Sequence, residues 1–304
     1  MADLILHHFA ASPFSEKVRL MLGYKQLGWK SVIVSNILPK PDVLTLTGGY
    51  RRTPFLQIGA DIYCDTALIA DVLEHLRPAP TLYPEPGRAL AGILAQWADD
   101  TLFWAAVTYN RGASAELPAA VLEDRKAMGF DVEWRRPADA TPAYKAYLRR
   151  LSDLLQDHPF LLGSKPCIAD FSAYHALWLA HLRAPAPVDL PLHAPALTGW
   201  LDRMHAIGHG SVEPFDAAQA IATAAKSEPA PVGLGLLSDN RFQDEHGITL
   251  GSRVTISAES FGLEPTEGEL IAATPTHYSL RRVDPRSGVV HVHFPRIGYV
   301  LKRH

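Results

Sequence analysis

Two rhythms of apolar and polar residues succeed one another along this chain, and the switches between them outline three regions. "DLILHHF" (3–9) and "SVIVSNIL" (31–38) are short apolar runs, the second rich in β-branched residues, and both predict buried strands. Between them Phe14, Val18, Met21 and Leu22 recur at helical spacing, which predicts a helix within Pro13 to Leu27. The strand–helix–strand order has the size of a right-handed βαβ unit. "TPFLQIG" and "ADIYCD" predict a hairpin pair, and Ile69, Val72, Leu73 and Leu76 a second amphipathic helix. "RPAPTLYPEPG" holds too much proline to continue that helix and marks a linker. From Arg88 to Ala225 the spacing is helical almost throughout, with a proline-rich loop at the start of "RAPAPVDLPLHAPALTGWLDRMHAIG". After "KSEPAPVGLG" the period falls to two in "RVTISAES", "GELIAATP", "HYSLRRVD" and "GVVHVHFPRIGYVL", which predict strands. The expected architecture is α+β and multidomain. An α/β domain spans 1–80, an all-α domain 88–225, and a small all-β module 233–304.

Composition narrows the class. The 304 residues are 47% hydrophobic and 20% charged, enough apolar side chain to fill real cores. A formal net charge of -3 favours neither nucleic acid nor an anionic membrane surface. Cys64 and Cys167 stand far apart in no CxxC spacing, which suits a reducing cytoplasm rather than a disulfide framework or zinc site. No stretch approaches the roughly 20 apolar residues of a membrane span, so a soluble cytoplasmic protein is expected.

The candidate chemistry begins at "SPFSEKVR" (12–19). A strand followed by Ser-Pro and a helix puts Ser12 at an N-cap and Pro13 at the first helical position, where a missing N–H costs nothing. Capping alone accounts for both residues. A hydroxyl at a helix N-terminus also suits an anion, because the free N–H groups and the macrodipole already favour negative charge.

Further motifs carry a resemblance. "RRTPFLQIGADIYCDTALIADVLEH" resembles the second half of a glutathione transferase N-terminal domain, "SPFSEKVRLML" resembles the first helix of its omega-like and tau-like members, and "GSKPCIADFSAY" resembles the helical domain's folding motif. Together they cover about residues 4 to 224. Three positions depart from the family pattern: Thr53 stands for valine, Asp65-Thr66 for Glu-Ser, and Cys167 for a hydroxyl cap. Only the third touches folding, since a thiol is a poor acceptor.

The resemblance implies a thioredoxin-like first domain, a homodimer, and glutathione as cosubstrate without a metal. It gives Ser12 the chemistry, with Ser15 as its local rival. It makes Pro54 cis and offers the backbone of Thr53 to the cysteinyl part of glutathione. Asp65 and Thr66 would take the γ-glutamyl ammonium and carboxylate, and Lys40 or Arg52 the glycyl carboxylate. Phe14 completes the expected glutathione-binding set. Serine is too weak a base to take the thiol proton, but its hydroxyl can donate to the thiolate. That is worth about 1.5–3 kcal/mol, or roughly one to two pKa units. Without a thiol at residue 12, mixed-disulfide chemistry is not expected.

The electrophile is expected to be a small apolar molecule held between the domains, with Trp97, Asp100, Phe103 and Trp104 as an aromatic strip along the first long helix. His7 and His8 end the first strand facing opposite ways, so at most one could approach the thiolate. Detoxifying conjugation is the leading expectation. The alternatives are a non-catalytic binding or interaction protein, or a glutathione-dependent isomerase or lyase. The C-terminal module is expected to dock on the helical domain and stay outside the chemistry, so that truncation near Pro231 preserves glutathione binding. His291 and His293 share a strand face there; with no third ligand, a solvated face is favoured over a metal site.

Overall fold

The computed structural model describes residues 3–113, 118–129, 137–183, 195–237, 239–243 and 245–304. β1 (Leu4–His8), α1 (Pro13–Tyr24) and β2 (Trp29–Ile33) form the expected parallel unit, with Ile5 opposite Lys30 and His7 opposite Val32. α1 starts as its sequence dictates: Ser12 Oγ accepts from the Ser15 amide at 3.1 Å and Pro13 opens the first turn. After the short α2 (Pro41–Thr47), β3 (Phe55–Ile58) runs antiparallel to β1 and makes the expected hairpin with β4 (Asp61–Cys64). α3 (Thr66–Leu76) follows.

α4 (Arg88–Trp97), a π turn (Ala98–Leu102), α5 (Phe103–Ala113), α6 (Ala119–Ala127), α7 (Pro137–Leu154), α8 (Ile168–Arg183) and α9 (Pro195–Ala206) make the helical domain. α1 packs on α8, so one apolar core runs from Leu20, Met21 and Leu22 through Ile69 to Phe171 and Trp200. Cys167 does not leave the start of α8 unsupported. The Asp170 carboxylate accepts from the amides of Leu161 and Cys167, from Trp200 Nε1 and from the Cys167 thiol. The proline-rich loop expected near residues 184–194 lies outside the described residues.

The chain then departs from the expected pattern. Residues 212–225, taken above as the end of the helical stretch, return to the sheet. β5 (Val212–Phe215) pairs parallel with β2, and α10 (Ala217–Ala225) buries Ala220, Ile221 and Ala224 against the strands. Four residues with an internal proline carry too little periodicity to announce an edge strand.

The C-terminal strands are β6 (Arg253–Ala258), β7 (Thr266–Ala273), β8 (His277–Asp284), β9 (Gly288–Pro295) and β10 (Tyr299–Arg303). Their principal contact is not the helical domain. β9 pairs parallel with β4, Asp61 opposite His291 and Tyr63 opposite His293, giving one ten-stranded sheet in the order β10-β6-β7-β8-β9-β4-β3-β1-β2-β5. The physical reason is the bare edge of β4, whose backbone groups need partners that β9 supplies; His291 N donates to Ala60 O at 3.0 Å. Phe55, Ile62 and Cys64 from the first domain share a second core with Ile256, Leu280, Val292 and Phe294.

That seam also corrects the solvated face expected for His291 and His293. His293 Nε2 lies 3.0 Å from Asp61 Oδ1 and its Nδ1 2.7 Å from Ser279 Oγ, while His291 Nδ1 is 3.9 Å from Asp61. Burial, with His293 close by, pushes His291 below the ordinary imidazole value. Among the described residues no group of three or more His, Cys, Asp or Glu side chains is arranged to hold a metal ion. No described helix is long and apolar enough to cross a membrane.

Candidate glutathione site

Three chain segments lie at the same end of the sheet, where His7 stands opposite Phe55 and Phe55 opposite Cys64. The first is the Ser12 cap. With its oxygen already accepting from the Ser15 amide, the Ser12 hydroxyl keeps a proton to donate elsewhere. Ser15, its rival, is fully buried, and its own hydroxyl has no hydrogen-bond partner among the described residues. Ser12 is buried as well, at 3% exposure.

The second segment is the turn into β3, where the Thr53–Pro54 peptide is cis. The third is the turn from β4 into α3. Asp65 has φ 76° there, a conformation that costs a non-glycine residue on the order of 1–3 kcal/mol. Two hydrogen bonds hold it: Asp65 Oδ1 accepts from the Ala67 amide at 2.9 Å, capping α3, and Oδ2 accepts from the Tyr299 hydroxyl at 3.0 Å.

Thr66 joins a buried relay that sequence reasoning missed. Lys17 Nζ, on α1, donates to Thr66 Oγ1 at 3.0 Å and to Asp99 Oδ2 at 2.6 Å, and Asp99 Oδ1 lies 2.9 Å from His175 Nε2. Burial alone would raise the Asp99 carboxyl, but Lys17 and His175 outweigh it and hold the group at about 2. His175 is lowered by its own burial, which the Asp99 carboxylate only partly offsets. Asp99 sits on the π turn, a feature that recurs at functional sites. The available signal was Lys17 itself, a cation on the buried side of an amphipathic helix, which has to be paired.

The remaining expected residues separate. Lys40 is buried at the start of α2 and donates to Arg51 O at 3.1 Å; burial, then neighbouring Arg125, lowers its ammonium to about 8. Arg52 donates to Phe261 O and lies over the Phe261 ring. Arg51, not singled out from the sequence, pairs with Asp124 and Glu264. The Phe14 ring packs on Phe103 and His175 at centroid distances of 4.7 and 4.5 Å, so it joins the domains.

The aromatic strip splits in two. In an α-helix residues 97 and 104 share a face, but the π turn between them turns less per residue and breaks that phase. Trp97 packs on Tyr147 of α7 and Asp100 is exposed, whereas Phe103 meets α1 and Trp104 meets Phe261 at 5.7 Å.

Neither histidine of β1 is free for catalysis. His7 Nε2 bonds Gln57 Oε1 at 2.9 Å beneath a stacked Phe55, and burial pushes it down to about 4. His8 bonds Ser31 Oγ and Arg19, and burial and that guanidinium lower it to about 3. Cys64 is buried, its thiol pushed up by burial and by Asp65.

Residues 6–81 match the glutathione S-transferase N-terminal domain and residues 115–203 its C-terminal domain. A GST-like protein from Pseudomonas syringae, of solved structure, is 41% identical over 100% of both chains, with a TM-score of 0.83. The chain therefore belongs to the glutathione S-transferase superfamily. Its thioredoxin-like and helical domains are those of the family, with an additional C-terminal sheet region that the full-length match to the Pseudomonas protein also spans. More distant structures share the fold alone. The beta-etherase LigF from Sphingobium sp. strain SYK-6 is 21% identical over 67% of this chain and 95% of its own, with a TM-score of 0.52. Rice GST1, solved in complex with glutathione, is 19% identical over 66% and 86%, with a TM-score of 0.50. No curated protein matches the chain.

Proposed function

We propose that the chain is a serine-type glutathione transferase that adds the glutathione thiolate to a small apolar electrophile. The observation that carries this reading is the Ser12 hydroxyl, whose oxygen is occupied by the Ser15 amide at 3.1 Å and whose proton is left to donate. In the reaction the thiol proton leaves to solvent, and Ser12 and the N-terminus of α1 stabilise the sulfur anion. The anion forms the new C–S bond as a π bond of the electrophile breaks, and the displaced electron pair takes a proton back from solvent. The Thr53 backbone takes the cysteinyl part, Asp65 the ammonium, Thr66 the γ-glutamyl carboxylate and Lys40 the glycyl carboxylate. Arg52, held by Phe261, acts through the wall of the site rather than on the ligand.

Phe103 and Trp104 line the electrophile side, and Trp97 and Asp100 do not. The reading includes a soluble cytoplasmic homodimer with a detoxifying role. Leu90 and Ile93, turned outward on α4 at 47% and 68% exposure, support a self-associating face. Light scattering of a dimer supports that part, and a monomer at micromolar concentration contradicts it. A turnover assay with glutathione and a panel of apolar electrophiles tests the whole. Saturable conjugation supports it; binding of glutathione without turnover on any of them leaves a binding protein instead.

A further inference from the structure

The C-terminal module touches the candidate site from two segments far apart in its own sequence, β10 and the loop that joins β6 to β7. Tyr299, on β10, is 4% exposed and donates to Asp65 Oδ2 at 3.0 Å. Phe261, in the loop 259–265 between β6 and β7, accepts from Arg52 and packs its ring against Trp104. Glu264, in the same loop, pairs with Arg51 at 2.6 Å, and the Gly262 amide donates to Met128 O at 2.8 Å. This loop therefore grips both the first domain and the helical domain. The module is fixed at the site and does not hang on the far end of the sheet.

Tyr299 makes the most specific of these contacts. Its ring is packed between Phe294, at 5.5 Å, and Tyr50, at 6.5 Å, which leaves the hydroxyl little freedom. An ionised carboxylate only accepts, with about two acceptor positions per oxygen. Asp65 spends one on Ala67 and one on Tyr299, which orients the carboxylate plane and leaves lone pairs on both oxygens for a further donor. We propose that the C-terminal module forms one wall of the glutathione site and that Tyr299 is a positioning residue, aiming the Asp65 carboxylate at the ammonium of the γ-glutamyl group. This rests on the glutathione reading given above.

The test is calorimetric binding of two ligands, glutathione and its analogue lacking the γ-glutamyl ammonium, to wild type and Tyr299→Phe, with thermal unfolding to confirm the fold. Loss of a hydrogen bond to a charged group predicts glutathione binding about tenfold weaker in the variant. The analogue should bind both proteins equally. In an Asp65→Asn background the Tyr299→Phe change should have no further effect on glutathione, because Tyr299 acts through that carboxylate. If the phenylalanine variant does not fold, fluorotyrosine at position 299 keeps the ring and strengthens only the donor. It should then alter glutathione affinity and leave the analogue unchanged. Equal glutathione binding by wild type and Tyr299→Phe overturns the proposal, as does a loss that extends equally to the analogue. Wild type that binds neither ligand overturns the glutathione reading itself, and this proposal with it.

Discussion

Replacing Asp99 by asparagine should cost about 3–5 kcal/mol, because it leaves a buried cation without its counter-charge. Lys17 is 1% exposed, and its other partner, the Thr66 hydroxyl, is neutral. The carboxylate is better placed than the ammonium, being 21% exposed and keeping His175. Lys17→Met should therefore cost less, about 1–2 kcal/mol, since methionine keeps much of the apolar stem. The double variant should recover much of the Asp99→Asn loss, a coupling of about 2 kcal/mol. The pH dependence has a definite sign. The native carboxyl, held at about 2, lies below its unfolded value of about 3.9. Its contribution is complete above the unfolded value and is lost as pH falls through the native one. Wild type should lose about 2 kcal/mol between about pH 4 and about pH 2, a component absent from Asp99→Asn. Urea unfolding followed by tryptophan fluorescence reads both effects. An Asp99→Asn loss below about 1 kcal/mol at neutral pH, or additive single losses, would refute the relay.

Three further predictions come from the same structure. Burial holds the Lys40 ammonium at about 8, so its charge is lost as pH rises through that value. Glutathione affinity measured by calorimetry should fall in step, and Lys40→Met should bind weakly at neutral pH with a flatter profile; identical profiles would exclude Lys40 from the ligand. Asp170→Ala strips an acceptor from four donors and should destabilise the helical domain by about 3 kcal/mol or more, measured by denaturant midpoint. Truncation after Pro231 removes β9 from the edge of β4 and uncovers Phe55, Ile62 and Cys64, so the shortened chain should be insoluble or unfolded. A folded, glutathione-binding truncation would show that the module only decorates the fold.

Local signals carried much of the architecture. The Ser12–Pro13 cap, the hairpin and the Asp65 cap are written within a few residues of where they act, and all three are present. The cis Thr53–Pro54 peptide, which only the family resemblance implied, is present too. What could not be read is long-range pairing. The period-two strands of the last 70 or so residues were legible, but nothing in their alternation says which edge they complete, because β9 and β4 lie more than 200 residues apart. Long-range pairing likewise joins Lys17 to Asp99, 82 residues apart, and Tyr299 to Asp65, 234 residues apart. The aromatic strip failed for another reason. Spacing arguments assume a constant turn per residue, and the π turn at Ala98–Leu102 breaks that assumption in the middle of the pattern.

The central claim is that the Ser12 hydroxyl holds a sulfur anion, and titration of bound glutathione tests it most directly. Thiolate absorbance of the saturated complex is followed against pH in wild type and in Ser12→Ala, with unfolding measured alongside because the lost cap costs about 0.5–2 kcal/mol. The hydrogen bond predicts a bound thiol with a pKa roughly one to two units lower in wild type than in Ser12→Ala. A folded Ser12→Ala protein whose bound glutathione titrates at the wild-type value would contradict it.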